Sequence, residues 1–141
     1  MIEHIQPPDL FPAAKLGFTQ VTAASADRLI WVAGQTACDQ RGRPVGGADV
    51  GAQAEVALEN VGRALAAAGA GPADVTMLKV YVVGLNRDAA AQIAPRVAKF
   101  FAGVEPPAST WVGVQALMHP AFLIEIEAVA AVRVERHAAG R

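Results

Sequence analysis

Apolar residues recur along this chain with two periods, and the switches between them outline the elements. The segment Phe18-Thr-Gln-Val-Thr alternates and is rich in β-formers, which predicts a first strand over residues 18–23. Residues 28–35 are almost continuously apolar and close on Gly34, the pattern of a central strand. The stretch 39–47 holds Gly42, Pro44, Gly46 and Gly47 and predicts a loop with one short edge strand. Asp49 is a good N-cap, and Ala54, Leu58, Val61, Leu65 and Ala68 follow it at helical spacing until Gly69-Ala-Gly-Pro72 ends the helix. Residues 75–85 predict a further strand, and 88–101 a second helix presenting Ile93, Val97, Phe100 and Phe101. Pro95 lies inside that helix and predicts a kink, or a first turn that breaks before the main helix. Residues 107–127 predict two strands joined by a turn at Met118-His119-Pro120. Side chains alternate along a strand, so Ser109 shares a face with Trp111, and Glu125 with Glu127.

This order predicts an α+β protein with a mixed sheet of five or six strands. Two helices cover only one face of such a sheet, so its other apolar face needs a partner, and self-association is the simplest one. Composition points the same way. Of the 141 residues 53% are hydrophobic and only 18% charged, against roughly 25% in an average domain. The length fits a single domain over residues 1–141. Pro7, Pro8 and Pro12 make residues 1–14 an extended arm, and residues 135–141 are expected to be a disordered tail.

Charge excludes one class of partner. Twelve basic residues against thirteen acidic ones leave no basic stripe, so phosphate-driven binding of nucleic acid is not expected. Residues 106–124 carry no charge, but Ser109, Thr110, Gln115 and His119, with three prolines, argue against a membrane span. The first residues have neither a basic start nor an apolar run, so no secretion signal is expected. A single cysteine, Cys38, excludes an internal disulfide and suits a cytoplasmic location.

Four stretches, in order, resemble the RidA family of reactive-intermediate deaminases, also called YjgF. They are Ala33-Gly34-Gln35; Gln53-Ala-Glu-Val-Ala-Leu-Glu-Asn60 followed by Leu65-Ala-Ala-Ala-Gly69; Leu78-Lys-Val-Tyr-Val-Val83; and Pro107-Ala108 leading to Ile124-Glu-Ile-Glu-Ala128. The resemblance spans roughly residues 15–134. It implies a chorismate-mutase-like fold, a homotrimer with inward-facing sheets, and clefts between subunits that bind small keto or imino acids. It also implies a pocket lined by Phe18, Ala33, Gly34, Ser109, Trp111 and Glu125. The deaminating members have arginine after the Pro-Ala pair, where its planar fork grips a carboxylate; here that residue is Ser109. Ala33 replaces a serine, Phe18 a tyrosine and Trp111 a smaller side chain, so the pocket is more apolar and less cationic. Glu125 alone remains of the polar set. The region around the second helix is two residues longer than in the family, so no ligand contact is carried over there.

Each candidate has two readings. Glu125 is a general base that activates water against a C=N carbon, or a carboxylate paired with Arg28, Arg133 or a backbone amide. Glu127 is assigned to an ion pair. Ser109 donates to a ligand or satisfies a strand end, and no histidine is placed to make it a nucleophile. Trp111 is a stacking wall or interface packing. Cys38 has no recognisable base and reads as a small hydrophobe. His4, His119 and His137 lack metal-ligand spacing, with His119 assigned to the turn, so neither metal nor cofactor is expected. The expected activity is hydrolysis of an imine or enamine to a carbonyl compound and ammonia; the alternative is a trimer that binds a small molecule without turnover, with ribonuclease activity third.

Overall fold

A computed structural model describes residues 1–134; the tail expected to be disordered, 135–141, and with it His137, lies outside them. Ten elements follow in order: β1 (Ile2–Ile5), a 3-10 turn (Ala13–Leu16), β2 (Val21–Ala24), β3 (Arg28–Thr36), α1 (Val50–Ala67), a 3-10 turn (Pro72–Asp74), β4 (Val75–Val83), α2 (Arg87–Phe100), β5 (Ala108–Val114) and β6 (Ile124–Val132). The six strands divide into a two-stranded antiparallel ribbon, β1 with β2, and a mixed four-stranded sheet in the order β3-β6-β4-β5. The segment expected to run as an extended arm thus supplies β1.

Both helices start as their sequences dictate. The Asp49 carboxylate accepts from the Ala52 N–H, and the Asn86 side chain accepts from the Ala89 N–H, each satisfying an orphan donor of the first turn. The apolar stripes pack on one face of the sheet. Leu58, Val61 and Leu65 of α1 and Ile93 and Val97 of α2 meet Leu78, Val80 and Val82 of β4 and Ile124 and Ile126 of β6. Pro95 does not break α2, which is continuous from Arg87 to Phe100; its missing N–H falls on an exposed side of the helix.

The expected hairpin over 107–127 does not form. β5 runs parallel to β4, reached by a crossover through α2, and β6 enters between β3 and β4, antiparallel to both. The physical reason is burial. The almost continuously apolar Ile124–Val132 suits a central strand with partners on both edges, whereas Ala108–Val114 carries Ser109, Thr110 and Gly113 and takes the sheet edge. His119 does belong to the turn between them, its Nδ1 accepting from the Ala121 N–H at 3.0 Å. The edge strand expected in 39–47 reduces to one bridge, Cys38 with Pro44.

Two polar side chains of α1 tie these loops to the sheet. Gln53 is only 1% exposed; its Nε2 donates to the carbonyls of Gly47 and Ala121 at 2.6 and 2.8 Å, and its Oε1 accepts from the Leu123 N–H at 2.8 Å. Gly46, with φ 92°, lies so close that an added Cβ would sit 3.0 Å from the Gln53 side chain. Asn60 donates to the carbonyls of Thr36 and Cys38, both at 3.1 Å, and fixes the end of β3. Replacing Gln53 with leucine removes the side-chain partner of three backbone groups, the Gly47 and Ala121 carbonyls and the Leu123 N–H. The expected cost is about 3 kcal/mol in urea denaturation, with faster hydrogen exchange at the Leu123 amide.

Candidate functional site

Strand parity sorts the candidate residues. Directly opposed residues of neighbouring strands share a face. Ser109 stands opposite Leu78, which faces Ala128, and Trp111 stands opposite Val80, which faces Ile126; these are core positions beneath the helices. Glu125 stands opposite Tyr81, which faces Val112, and Glu127 opposite Lys79, which faces Thr110. Ser109 and Trp111 therefore lie on the helix-covered face and Glu125 on the open face. Within one protomer they do not meet.

On the helix side an open cleft of about 760 Å³ separates α2 from β5 and from the 3-10 turn at Ala13–Leu16. It exists because α2 presents small residues there: Ala90, Ala94 and Ala98 recur every four positions, with Ala91 and Pro95 beside them. Phe18, Ser109 and Trp111 line the opposite wall, and Leu78 and Phe101 the floor. The indole Nε1–H of Trp111 donates to Ser109 Oγ at 3.1 Å, which fixes both side chains. Thr19 anchors the Phe18 segment: its hydroxyl donates to the Pro106 carbonyl at 2.6 Å and its N–H to the Pro107 carbonyl at 2.9 Å. Lys15 also lines the cleft and is its one cationic residue among the described residues. Its place was not legible from a strand or helix pattern, because it sits on a 3-10 turn within the proline-rich start of the chain.

On the open side, Ala33 and Gly34 form a bulge in β3. Val32 pairs with Ala128 and Gln35 with Ile126, so two residues oppose the single Glu127. The Glu125 side chain lies against Gly34, where any Cβ would collide with its carboxylate. Arg28 donates instead to the Ala68 carbonyl and Arg133 to the Ser25 carbonyl. Among the described residues Glu125 has no hydrogen-bond or ion-pair partner, although it is only partly exposed. Glu127 does have partners. The Tyr81 hydroxyl donates to it at 3.0 Å, Lys79 Nζ lies 3.6 Å away, and the carboxylate in turn pushes the Tyr81 phenol above its ordinary value. Around them the open face exposes Leu29 (51%), Trp31 (71%) and Val112 (41%).

Among the described residues no group of three or more histidine, cysteine or acidic side chains could hold a metal ion, and no helix is long and apolar enough to cross a membrane.

Two helices on one face of a mixed sheet place the molecule in the α+β class and match the solved structures of Rid and YjgF proteins. The chain belongs to that family: the family model described as Endoribonuclease L-PSP matches residues 10–132. A Rid-family protein of unknown function from Yersinia pestis, YyfB, is 38% identical, with a TM-score of 0.89 over 93% of this chain and 98% of its own. Rv2704 of Mycobacterium tuberculosis is 29% identical, with a TM-score of 0.62 over 94% and 100%. TdcF of E. coli, solved with bound serine, is 29% identical, with a TM-score of 0.64 over 77% and 84%. No curated protein matches the chain.

The contact between Gly34 and Glu125 is testable by a double-mutant cycle. Gly34→Ala is expected to cost about 2 kcal/mol, and most of that cost should disappear when Glu125 is also alanine.

Proposed function

We propose that the chain assembles as a homotrimer in the cytoplasm, binds a small metabolite in clefts between subunits, and there hydrolyses an imine or enamine to a carbonyl compound and ammonia. The observation that carries this reading is Glu125. A partly buried carboxylate with no partner among the described residues, pressed against a residue that lacks a side chain, is a group held ready for something outside the protomer. The cleft beside Ser109 lies on the other face of the same sheet, so a complete site needs the Glu125 of one subunit beside the cleft of the next. The exposed Leu29, Trp31 and Val112 give the open face a reason to be covered. The serine bound to TdcF supports a carboxylate-bearing metabolite as the kind of ligand this frame accepts.

The chemistry is balanced by water alone. An enamine first tautomerises to the imine. Glu125 takes a proton from a water molecule as its oxygen bonds to the C=N carbon, and the nitrogen is protonated. The resulting carbinolamine then collapses, releasing ammonia and leaving C=O. Ser109 offers one neutral hydroxyl where the deaminating relatives carry a bidentate cation. This favours a second reading, a trimer that binds without turnover. The ribonuclease description of the family fits this chain less well, since acidic residues outnumber basic ones by thirteen to twelve.

Ammonia release from enamines generated in situ, with carboxylated and uncarboxylated substrates, separates the two readings. Release above the buffer rate that falls about a hundredfold or more in Glu125→Ala is the expected result; release no faster than buffer on either substrate class would leave only binding. The shared site has its own check. Glu125→Ala chains mixed with Ala94→Trp chains, each inactive alone, should regain activity on co-assembly. Trp31→Glu should shift the assembly toward monomer in sedimentation velocity.

A further inference from the structure

The polar groups of the cleft are few, and their hydrogen-bonding states are readable. Ser109 Oγ already accepts the indole N–H of Trp111 at 3.1 Å, and its own O–H finds no acceptor among the described residues. Ser109 therefore faces the cleft as a donor. Among the described residues of the protomer itself no acidic side chain lines the cavity, so the charge it contributes to its own cleft is positive. Lys15 lines it from the 3-10 turn, exposed, and has no carboxylate within ion-pair distance among the described residues. Everything else is apolar: the alanine and proline face of α2, Phe18, Phe101 and the indole of Trp111. At about 760 Å³ the space is that of a drug-sized ligand and leaves a two- or three-carbon acid mostly uncontacted.

We propose that Lys15 is a specificity-determining residue, and that the cleft selects amphiphilic monocarboxylates with a bulky apolar or aromatic body. The carboxylate is held at Lys15, the body lies against α2 and Trp111, and a neutral carbonyl accepts from Ser109. The cation has thus moved from β5 to the turn before Phe18, and the charged end of the ligand moves with it. This rests on the cleft being a ligand site, as proposed above, and names its ligand class.

Isothermal titration of the assembled protein tests it with four probes. They are 3-benzoylpropanoate, its primary amide, 4-phenylbutanoate (no ketone) and acetate (no body). Benzoylpropanoate is expected to bind, and acetate not to. The amide should bind roughly fivefold more weakly, and phenylbutanoate about fivefold more weakly. Lys15→Gln should abolish the difference between acid and amide while Lys15→Arg keeps it, and Ser109→Ala should abolish the difference between ketone and methylene. Ala94→Leu, which fills the cleft from α2, should remove binding while the thermal transition stays intact. Equal affinity of acid and amide, an unchanged ratio in Lys15→Gln, acetate binding as well as the aryl acid, or no binding of any probe would each overturn the proposal. The readout is heat of binding, so it separates the two readings. Probe binding in a protein that releases no ammonia removes the hydrolase and keeps the ligand class; ammonia release without probe binding does the reverse.

Discussion

Period-two alternation in a sheet covered on one side is the constraint on which the arrangement of this protein depends. The helices can bury only one face, so every second residue of β3, β4, β5 and β6 joins the core and the others are left to the open side. Once Leu78 and Val80 are core positions, Ser109 and Trp111 must share their face, and Glu125 cannot. A one-residue slip of register would exchange the sets and bury two carboxylates beneath α1, which the desolvation cost forbids. The distance between the cleft and the free carboxylate is thus a consequence of how the core is made.

The polar residues that serve structure and those left for chemistry differ in how fully they are partnered. Gln53 and Asn60 lie within a stretch shared with the RidA family, and both spend their side chains on backbone groups that no strand or helix satisfies. Glu127 is engaged by Tyr81 and Lys79. Glu125, two residues earlier on the same face, has no partner among the described residues, and Ser109, which accepts from Trp111, has no acceptor for its own proton among them. Similar residue types in neighbouring positions thus have different roles, and the difference lies in their surroundings.

Much of this was legible in the sequence. The two helices, the Asp49 cap, the strands at 28–35 and 75–85 and an apolar face left open by the helices follow from local sequence, which depends on near neighbours. The place of β5 was not legible. Nothing within 107–127 records that β4 will take one edge of Ser109's strand while β6 goes elsewhere, because strand pairing is decided by residues far apart in the chain. The cleft was half legible. Ser109, Trp111 and Phe18 were named through the family resemblance, but the alanines of α2 look like ordinary helix formers until a cavity is found beside them, and a lysine among prolines carries no periodic signal. Glu125 was singled out as a carboxylate in an apolar strand; that its neighbour Gly34 makes room for it needed the bulge at Ala33–Gly34.

The position of β6 has a consequence for how the molecule comes into being. It is the last strand of the described chain and the inner partner of both β3 and β4. Until residues 124–132 have left the ribosome, β3 has no neighbour in this sheet and β4 keeps a bare, strongly apolar edge. The helices cannot close a core over a sheet that lacks its middle. Folding of this domain is therefore deferred until β6 has been made, and a chain interrupted before β6 is no smaller version of the fold. It is an unpaired edge open to aggregation, of the kind that chaperones retain and proteases remove.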